Sequence, residues 1–426
     1  MTRPIVLCTL GTRGDVAPFV LLASELHERG HRVISLSNDR WGPEFTGAGA
    51  EFWPIAPADE PQTGRDDEAF FRANTLPSFR RSFDLVTGLV ENGQCPLLVY
   101  RVNMLGMQCA AERYGLPNIR VALQPSVIRS YRAPPWPLSS LTDRPGGWLA
   151  KRTIVPLAYA LGSLRTSYRR HANAFRKSVG LAPRKWFALP EKVEDLVVML
   201  CPRWFAWPQP DWPDNVCLVG FPLPLPTLPA GGDQYCLRGH VVATPGTGID
   251  DPDRFFDVVA RFCEQAGLPA LFLSPDIPTR FRRRPTIWCH DFIPLDAALT
   301  HASMLIHHGG IGTTAEGIRA GIPQIVIPDR FDQPDNAMRT AKLGLGGVIL
   351  DDDYTVDHLM SVSDRLQKSM HVRVQLQTAK ALVESDKAIS DTADIIEELI
   401  SRKHGSPQSA PEPVPSTATV PTHESA

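Results

Sequence analysis

Short apolar runs recur along the chain, each closed by a polar or glycine-rich turn and followed by a stretch of mixed polarity. The first, from Pro4 to Leu10, is too continuously apolar for a half-exposed strand and reads as one buried on both faces of a parallel sheet. Behind it come the glycine loop GTRGDVAP, a helical FVLLASELHERG and a second strand, HRVISLS, which together open a βαβ unit. Runs at PLLVY (96–100), NIRVALQ (118–124) and DLVVML (195–200) extend the pattern, whereas 125–160 reads as a long irregular segment rich in aromatic residues.

The proline- and glycine-rich GFPLPLPTLPAGGD (220–233) then breaks the rhythm and marks a domain boundary. After it the pattern restarts: strand HVVAT, loop PGTG, helix DPDRFFDVVARFCEQAG, then the strands PALFLS, TIWC, MLIHH, QIVIP and GGVIL. Strands alternating with helices imply parallel sheets with right-handed crossovers, which take ligands at the carboxyl ends of their strands. The expectation is an α/β chain of two Rossmann-like, doubly wound domains facing across a cleft: 1–222, a linker at 223–235, and 236–385. A last helical pattern occupies 386–403, and the polar segment 404–426 has no apolar periodicity and reads as a disordered tail.

Composition narrows the choice of partners. The chain has 426 residues and is 43% hydrophobic, enough for two or three cores. Its 44 basic and 46 acidic residues leave a net charge of -2, so no general field gathers nucleic acid and any anion must be held locally. Eight cysteines without a CxxC pair or metal-ligand spacing read as reduced thiols in the cytoplasm. No run approaches a membrane span, which leaves peripheral contact with the inner membrane open.

The richest chemistry lies at 305–336, LIHHGGIGTTAEGIRAGIPQIVIPDRFDQPDN. MLIHH ends a strand, GGIGTT turns, and TAEGIRAG is a helix closed by Gly321. Amides of Gly310, Ile311 and Gly312 at a helix N-terminus form a site for phosphate, and the glycines allow close approach. The Thr313 hydroxyl adds a donor, and His308 supplies an imidazole N–H or a positive charge, a set suited to a diphosphate. Neither GxGxxG nor GxxxxGK[ST] is present, which disfavours a dehydrogenase or a P-loop NTPase. His307 falls on the opposite side of the strand and reads as structural. Thr247 and Gly246, in ATPGTG, form either a second phosphate turn or a plain βα connection. DDDY (351–354) reads as exposed carboxylates capping a helix, and no metal site is expected.

HHGGIGTTAEGIRAGIPQIVIPDRFDQ resembles the donor-binding motif of the family 1 nucleotide-sugar glycosyltransferases, which have the two-domain GT-B fold. The opening TLGTRGDVAPFVLLASELHERGHRV resembles the bacterial lipid, sterol and antibiotic branch. CPRWFAWPQPDWPDNVCLVGFP and DQPDNAMRTAKLG are most similar to the rhamnosyltransferase catalytic subunit of rhamnolipid synthesis. The resemblance implies that 1–222 binds the acceptor, that 236–385 binds the nucleotide sugar, and that 386–403 packs back towards the N-terminal domain.

Carried onto this chain, the resemblance implies that His308 and Thr313 contact the donor diphosphate and that Glu316 holds the ribose hydroxyls. Asp332 and Gln333 take the sugar hydroxyls. Phe292 stacks on the base while Ile293 offers its backbone, with Trp288 as the rival stacking residue. Many plant members place a histidine in a GHxxP context, whereas this chain reads Gly14-Asp15-Val16-Ala17-Pro18 like the antibiotic branch. Asp15 is therefore the implied catalytic base, with helix capping as its alternative role.

Charge on the leaving diphosphate is met by His308 and the helix terminus, which can replace a metal. Direct displacement implies inversion. Phe70, Phe71, Trp136 and Trp148 can line an apolar acceptor pocket or simply pack a core. The expected reaction moves a hexose from dTDP-rhamnose, or second from UDP-glucose, to a lipid hydroxyl such as that of a hydroxyalkanoyloxyalkanoate, without a cofactor. A partner enzyme supplying the acyl chain is a further expectation. Terpenoid, carotenoid or polyketide alcohols are the alternative acceptors, and a non-catalytic GT-B partner protein is the alternative class.

Overall fold

A computed structural model describes residues 3–58, 75–143, 147–165, 167–184, 194–225, 238–246, 251–350 and 353–402, with 160–165, 167 and 168 described by their backbone alone. The chain divides into two compact units. The first is Met1–Pro222 completed by the segment that begins at Lys387, and the second runs from Leu223 to Asp386.

The first unit is built on strands β1 (Ile5–Cys8), β2 (Val33–Asn38), β3 (Glu51–Ala56), β4 (Leu97–Arg101), β5 (Asn118–Ala122), β6 (Leu196–Met199) and β7 (Val216–Leu218). They form one sheet in the order β3-β2-β1-β4-β5-β6-β7, and every pairing is parallel. Successive β1 side chains enter opposite layers: Ile5 and Leu7 join one apolar cluster, Val6 and Cys8 the other. This is why the run could be apolar throughout.

Two strands escaped the sequence pattern, and both lie at sheet edges. In β3 the edge position tolerates Pro54, which cannot donate to a ladder, and β7 is only Val216–Leu218. The segment 125–160 is also more regular than expected, holding helices Leu138–Thr142, Gly147–Arg152 and Ile154–Arg165.

The last helix, Ala388–Arg402, packs within the first unit on helix Arg13–Glu28. Arg29 reaches Asp394 at 2.5 Å and Glu397 at 3.0 Å, and His31 meets Glu397 at 2.8 Å. Ala393, Ile396 and Leu399 complete the apolar layer with Phe19, Leu22 and Leu26.

The second unit has a six-stranded parallel sheet: β8 (Val241–Thr244), β9 (Ala270–Leu273), β10 (Ile287–His290), β11 (Met304–His307), β12 (Gln324–Val326) and β13 (Gly346–Val348). Their order is β10-β9-β8-β11-β12-β13. One layer holds Val242, Leu271, Ile293 and Leu305. Aromatic packing is dense around Phe256, Phe272 and Phe281, with ring centroids of the first two 4.7 Å apart.

In each sheet the connection reverses direction beside the first strand, between β1 and β4 and between β8 and β11. Doubly wound sheets open a crevice at that point, outside the carboxyl ends of the strands. The segment 226–237 and residues 403–426, which include part of the expected linker and the whole expected tail, lie outside the described residues.

Candidate functional site

At the β8/β11 switch point the chain turns sharply after His307. Gly309 adopts φ 94°, and a side chain there would press on Val326 and on the Gln333 backbone. His307 is fully buried and its Nδ1 accepts from the Gly309 amide at 3.2 Å. Burial, with His308 beside it, holds the ring down at about 3 against the opposing Gln324 amide. A neutral ring that accepts at Nδ1 carries its proton on Nε2. His307 thus pins the elbow from beneath.

The His308 ring lies between two glycines. A Cβ on Gly246 would stand 2.4 Å from its Cε1, and one on Gly310 would stand 2.6 Å from its Nε2. Burial pushes this ring down to about 4, with the Thr244 main chain and the Asp329 carboxylate opposing. Near pH 7 His308 is therefore neutral. It can offer an N–H to an oxyanion, rather than the positive charge also considered for it.

Helix Ile311–Ala320 starts directly from this elbow. Its N-cap is Gly310, without a side-chain acceptor, and its first turn holds no acidic residue. The first amides of such a helix have no partner within it and carry the positive end of the dipole. The Thr314 hydroxyl turns back to the Gly310 carbonyl at 3.0 Å, while Thr313, one residue earlier, is part-exposed in the first turn.

Glu316 is buried one turn further on, and Arg319 meets its Oε2 at 2.6 Å. Arg319 also donates to the Pro224 carbonyl at 2.6 Å, so the start of the second unit is tied to this helix. Burial pushes the Glu316 carboxyl up to about 7 despite the arginine.

The following turn is latched to the elbow. Gln333 Oε1 accepts from the amides of Asp329 at 2.9 Å and Arg330 at 3.1 Å. Asn336 Nδ2 donates to the Gly309 carbonyl at 3.0 Å and to Asp332 Oδ2 at 2.7 Å. Sequence reasoning missed Asn336. Its signal was its position four residues beyond Asp332, on the same helix face.

His308, Gly310, Ile311, Gly312, Thr313, Glu316, Asp332 and Gln333 thus share one edge of this sheet. Phe292, just after β10, is 59% exposed and Trp288, within β10, is 39% exposed, so both rings present surface that could stack, while Ile293 is buried in the core. Thr247, Phe70 and Phe71 lie outside the described residues. Trp136 is part-buried in the first unit, ahead of helix Leu138–Thr142. The helix after β13 is capped by the Thr355 hydroxyl, which accepts from the His358 amide at 3.3 Å; the aspartates expected to cap it precede that position, and Asp351 and Asp352 lie outside the described residues.

At the other switch point, Asp15 is not in a loop as the sequence suggested. The helix begins at Arg13, two turns earlier than its apolar periodicity indicates, and Asp15 stands in its first turn. Asp15 Oδ2 accepts from the Thr12 amide at 2.9 Å and from the Thr12 hydroxyl at 3.3 Å, the reciprocal half of a capping box. Asp15 Oδ1 pairs with Arg101 Nη2 at 2.7 Å, and Arg101 Nη1 donates to the Leu10 carbonyl at 3.1 Å. Gly11, at φ 130°, clears this carboxylate, since a Cβ there would lie 2.2 Å from Oδ2. Arg101 was not anticipated, although it ends the strand that flanks β1.

Residues 5–82 match the glycosyltransferase family 28 N-terminal domain, and residues 281–400 match the C-terminal domain of erythromycin biosynthesis protein CIII-like proteins. A sterol 3-beta-glucosyltransferase of Arabidopsis thaliana is 25% identical over 92% of this chain and 67% of its own length. The vancomycin aglycone glucosyltransferase of Amycolatopsis orientalis is 25% identical over 80% of this chain and 84% of its own. In fold, the calicheamicin glycosyltransferase CalG4 superposes with a TM-score of 0.71 at 20% identity, covering 94% of this chain and 99% of that one. With the glycosyltransferase family 28 N-terminal domain matched in the first unit, the erythromycin biosynthesis protein CIII-like C-terminal domain matched over 281–400 and glycosyltransferase relatives spanning most of the sequence, the chain is a nucleotide-sugar-dependent glycosyltransferase with the GT-B fold.

Proposed function

We propose that this enzyme transfers a hexose, with inversion and without a metal, from a nucleoside diphosphate to the hydroxyl of an apolar acceptor. The observation that carries the reading is the elbow itself: a part-buried neutral histidine and an uncapped helix N-terminus converging on one edge of the sheet. Such an arrangement holds a diphosphate and accepts the charge that grows on it as the sugar leaves. In this reading Glu316 Oε1 takes a ribose hydroxyl, Asp332 and Gln333 take the sugar, and Phe292 or Trp288 covers the base. Asp15 accepts the proton of the attacking hydroxyl.

A thymidine diphosphate donor carrying rhamnose is our first choice and UDP-glucose the second. Support comes from a spinosyn rhamnosyltransferase solved with thymidine diphosphate, which shares this fold at a TM-score of 0.62 and 18% identity. A hydroxyalkanoyl lipid is the acceptor favoured by the CPRWFAWPQPDW and DQPDNAMRTAKLG segments. A polycyclic alcohol is the second reading, favoured by the sterol and vancomycin aglycone glucosyltransferases among the relatives.

The test is incubation of each nucleotide sugar with a hydroxyalkanoyloxyalkanoate and, separately, with a sterol, products being read by mass and by the anomeric coupling constant. A rhamnosyl lipid of inverted configuration is expected. Transfer to the sterol alone would replace the acceptor assignment, and transfer to neither would remove both.

A further inference from the structure

We propose that the helical pair Gly147–Arg152 and Ile154–Arg165 is a docking surface for a membrane bearing anionic phospholipid. Four large apolar side chains stand out of it within ten residues: Trp148 is 65% exposed, Leu149 54%, Ile154 46% and Leu157 59%. Single exposed apolar residues are ordinary, but a cluster of this kind marks an interaction surface. The second helix opens IVPLAY, apolar around its circumference, with only Val155 fully buried among these residues.

Charge identifies the occupant. Lys151 and Arg152 close the first helix of the pair. Between positions 129 and 170 the sequence holds eight basic residues and one acidic residue, Asp143, within a chain whose net charge is -2. An apolar face with tryptophan among basic side chains matches the interfacial layer of an anionic bilayer. A second copy of the chain fits less well, because a symmetric dimer would bring two basic patches together. No helix among the described residues is long and apolar enough to cross a membrane, so the contact lies in the interface.

The test is co-sedimentation of the full chain with vesicles, and it reads binding without turnover, so its outcome is separate from the identity of the acceptor. Vesicles of phosphatidylglycerol and phosphatidylcholine in equal parts should capture the protein, phosphatidylcholine alone should not, and salt should weaken capture. The double variants Trp148→Ser with Leu157→Ser, and Lys151→Glu with Arg152→Glu, should each lose about tenfold or more in vesicle affinity. Because Trp148, Arg152 and Leu157 are exposed and Lys151 only part-buried, the thermal midpoint should stay unchanged. Brominated lipid should quench wild-type fluorescence more than that of Trp148→Phe. The proposal is overturned if phosphatidylglycerol vesicles do not bind, if the variants bind as wild type does, or if sedimentation shows a dimer that the apolar variant dissolves.

Discussion

Asp15 and Arg101 are joined by a 2.7 Å ion pair across the switch point of the first sheet, with the other carboxylate oxygen closing the cap of the helix. The side chain proposed as the base is therefore held at both oxygens: Oδ2 accepts twice from Thr12, whereas Oδ1, paired with Arg101, keeps a lone pair for the attacking hydroxyl. Replacing it by asparagine keeps an acceptor for the Thr12 amide and removes the proton acceptor. Turnover of Asp15→Asn should fall by about 10²-fold or more. Donor binding measured by calorimetry should persist, because every proposed donor contact belongs to the second unit. Near wild-type turnover would leave this aspartate a helix cap only.

Gly310 offers a test confined to the elbow. Its φ of -59° suits any residue, so alanine adds no backbone strain, yet its Cβ would fall 2.6 Å from His308 Nε2. Gly310→Ala should therefore displace the imidazole and weaken binding of a nucleoside diphosphate, and His308→Ala should lower affinity and turnover together. Unaltered calorimetric affinity in both folded variants would exclude His308 from the diphosphate site.

The buried ionisable groups set opposite pH dependences. His308 at about 4 and His307 at about 3 both lie below 6.5, so the unfolded chain takes up their protons first. Their contribution to stability is intact above about 6.5 and is lost as pH falls towards 4. Glu316, at about 7 against 4.5, works the other way: full stability below 4.5, declining as pH rises through 7. The thermal midpoint of Glu316→Gln should therefore fall less than wild type between pH 4.5 and 7. A steeper decline in the variant would contradict the burial argument.

Charge stabilisation by a helix terminus and an imidazole N–H needs no divalent ion. Transfer should then continue in excess chelator. Loss of product restored specifically by Mg²⁺ or Mn²⁺ would overturn the metal-free reading.

What the sequence determined by itself is local in origin. A continuous apolar run, a glycine turn and a helix start are set by neighbouring residues, so βαβ order, the break near 220 and the elbow His308–Thr313 could all be read directly. The edge strands of the first sheet escaped, one because Pro54 is tolerated where no ladder partner is needed on the outer side, the other because it is only Val216–Leu218. The start of the first helix escaped because capping chemistry at Thr12 and Asp15, not apolar periodicity, sets it.

Tertiary structure alone decided the rest. Arg101 reaches Asp15 because β4 lies against β1, and Gly246 encloses His308 because β8 lies against β11. Neither pairing leaves a trace in spacing along the chain. The protonation of His307, His308 and Glu316 was equally hidden, since it follows from how much protein replaces water around each group, and that is a property of the packed fold.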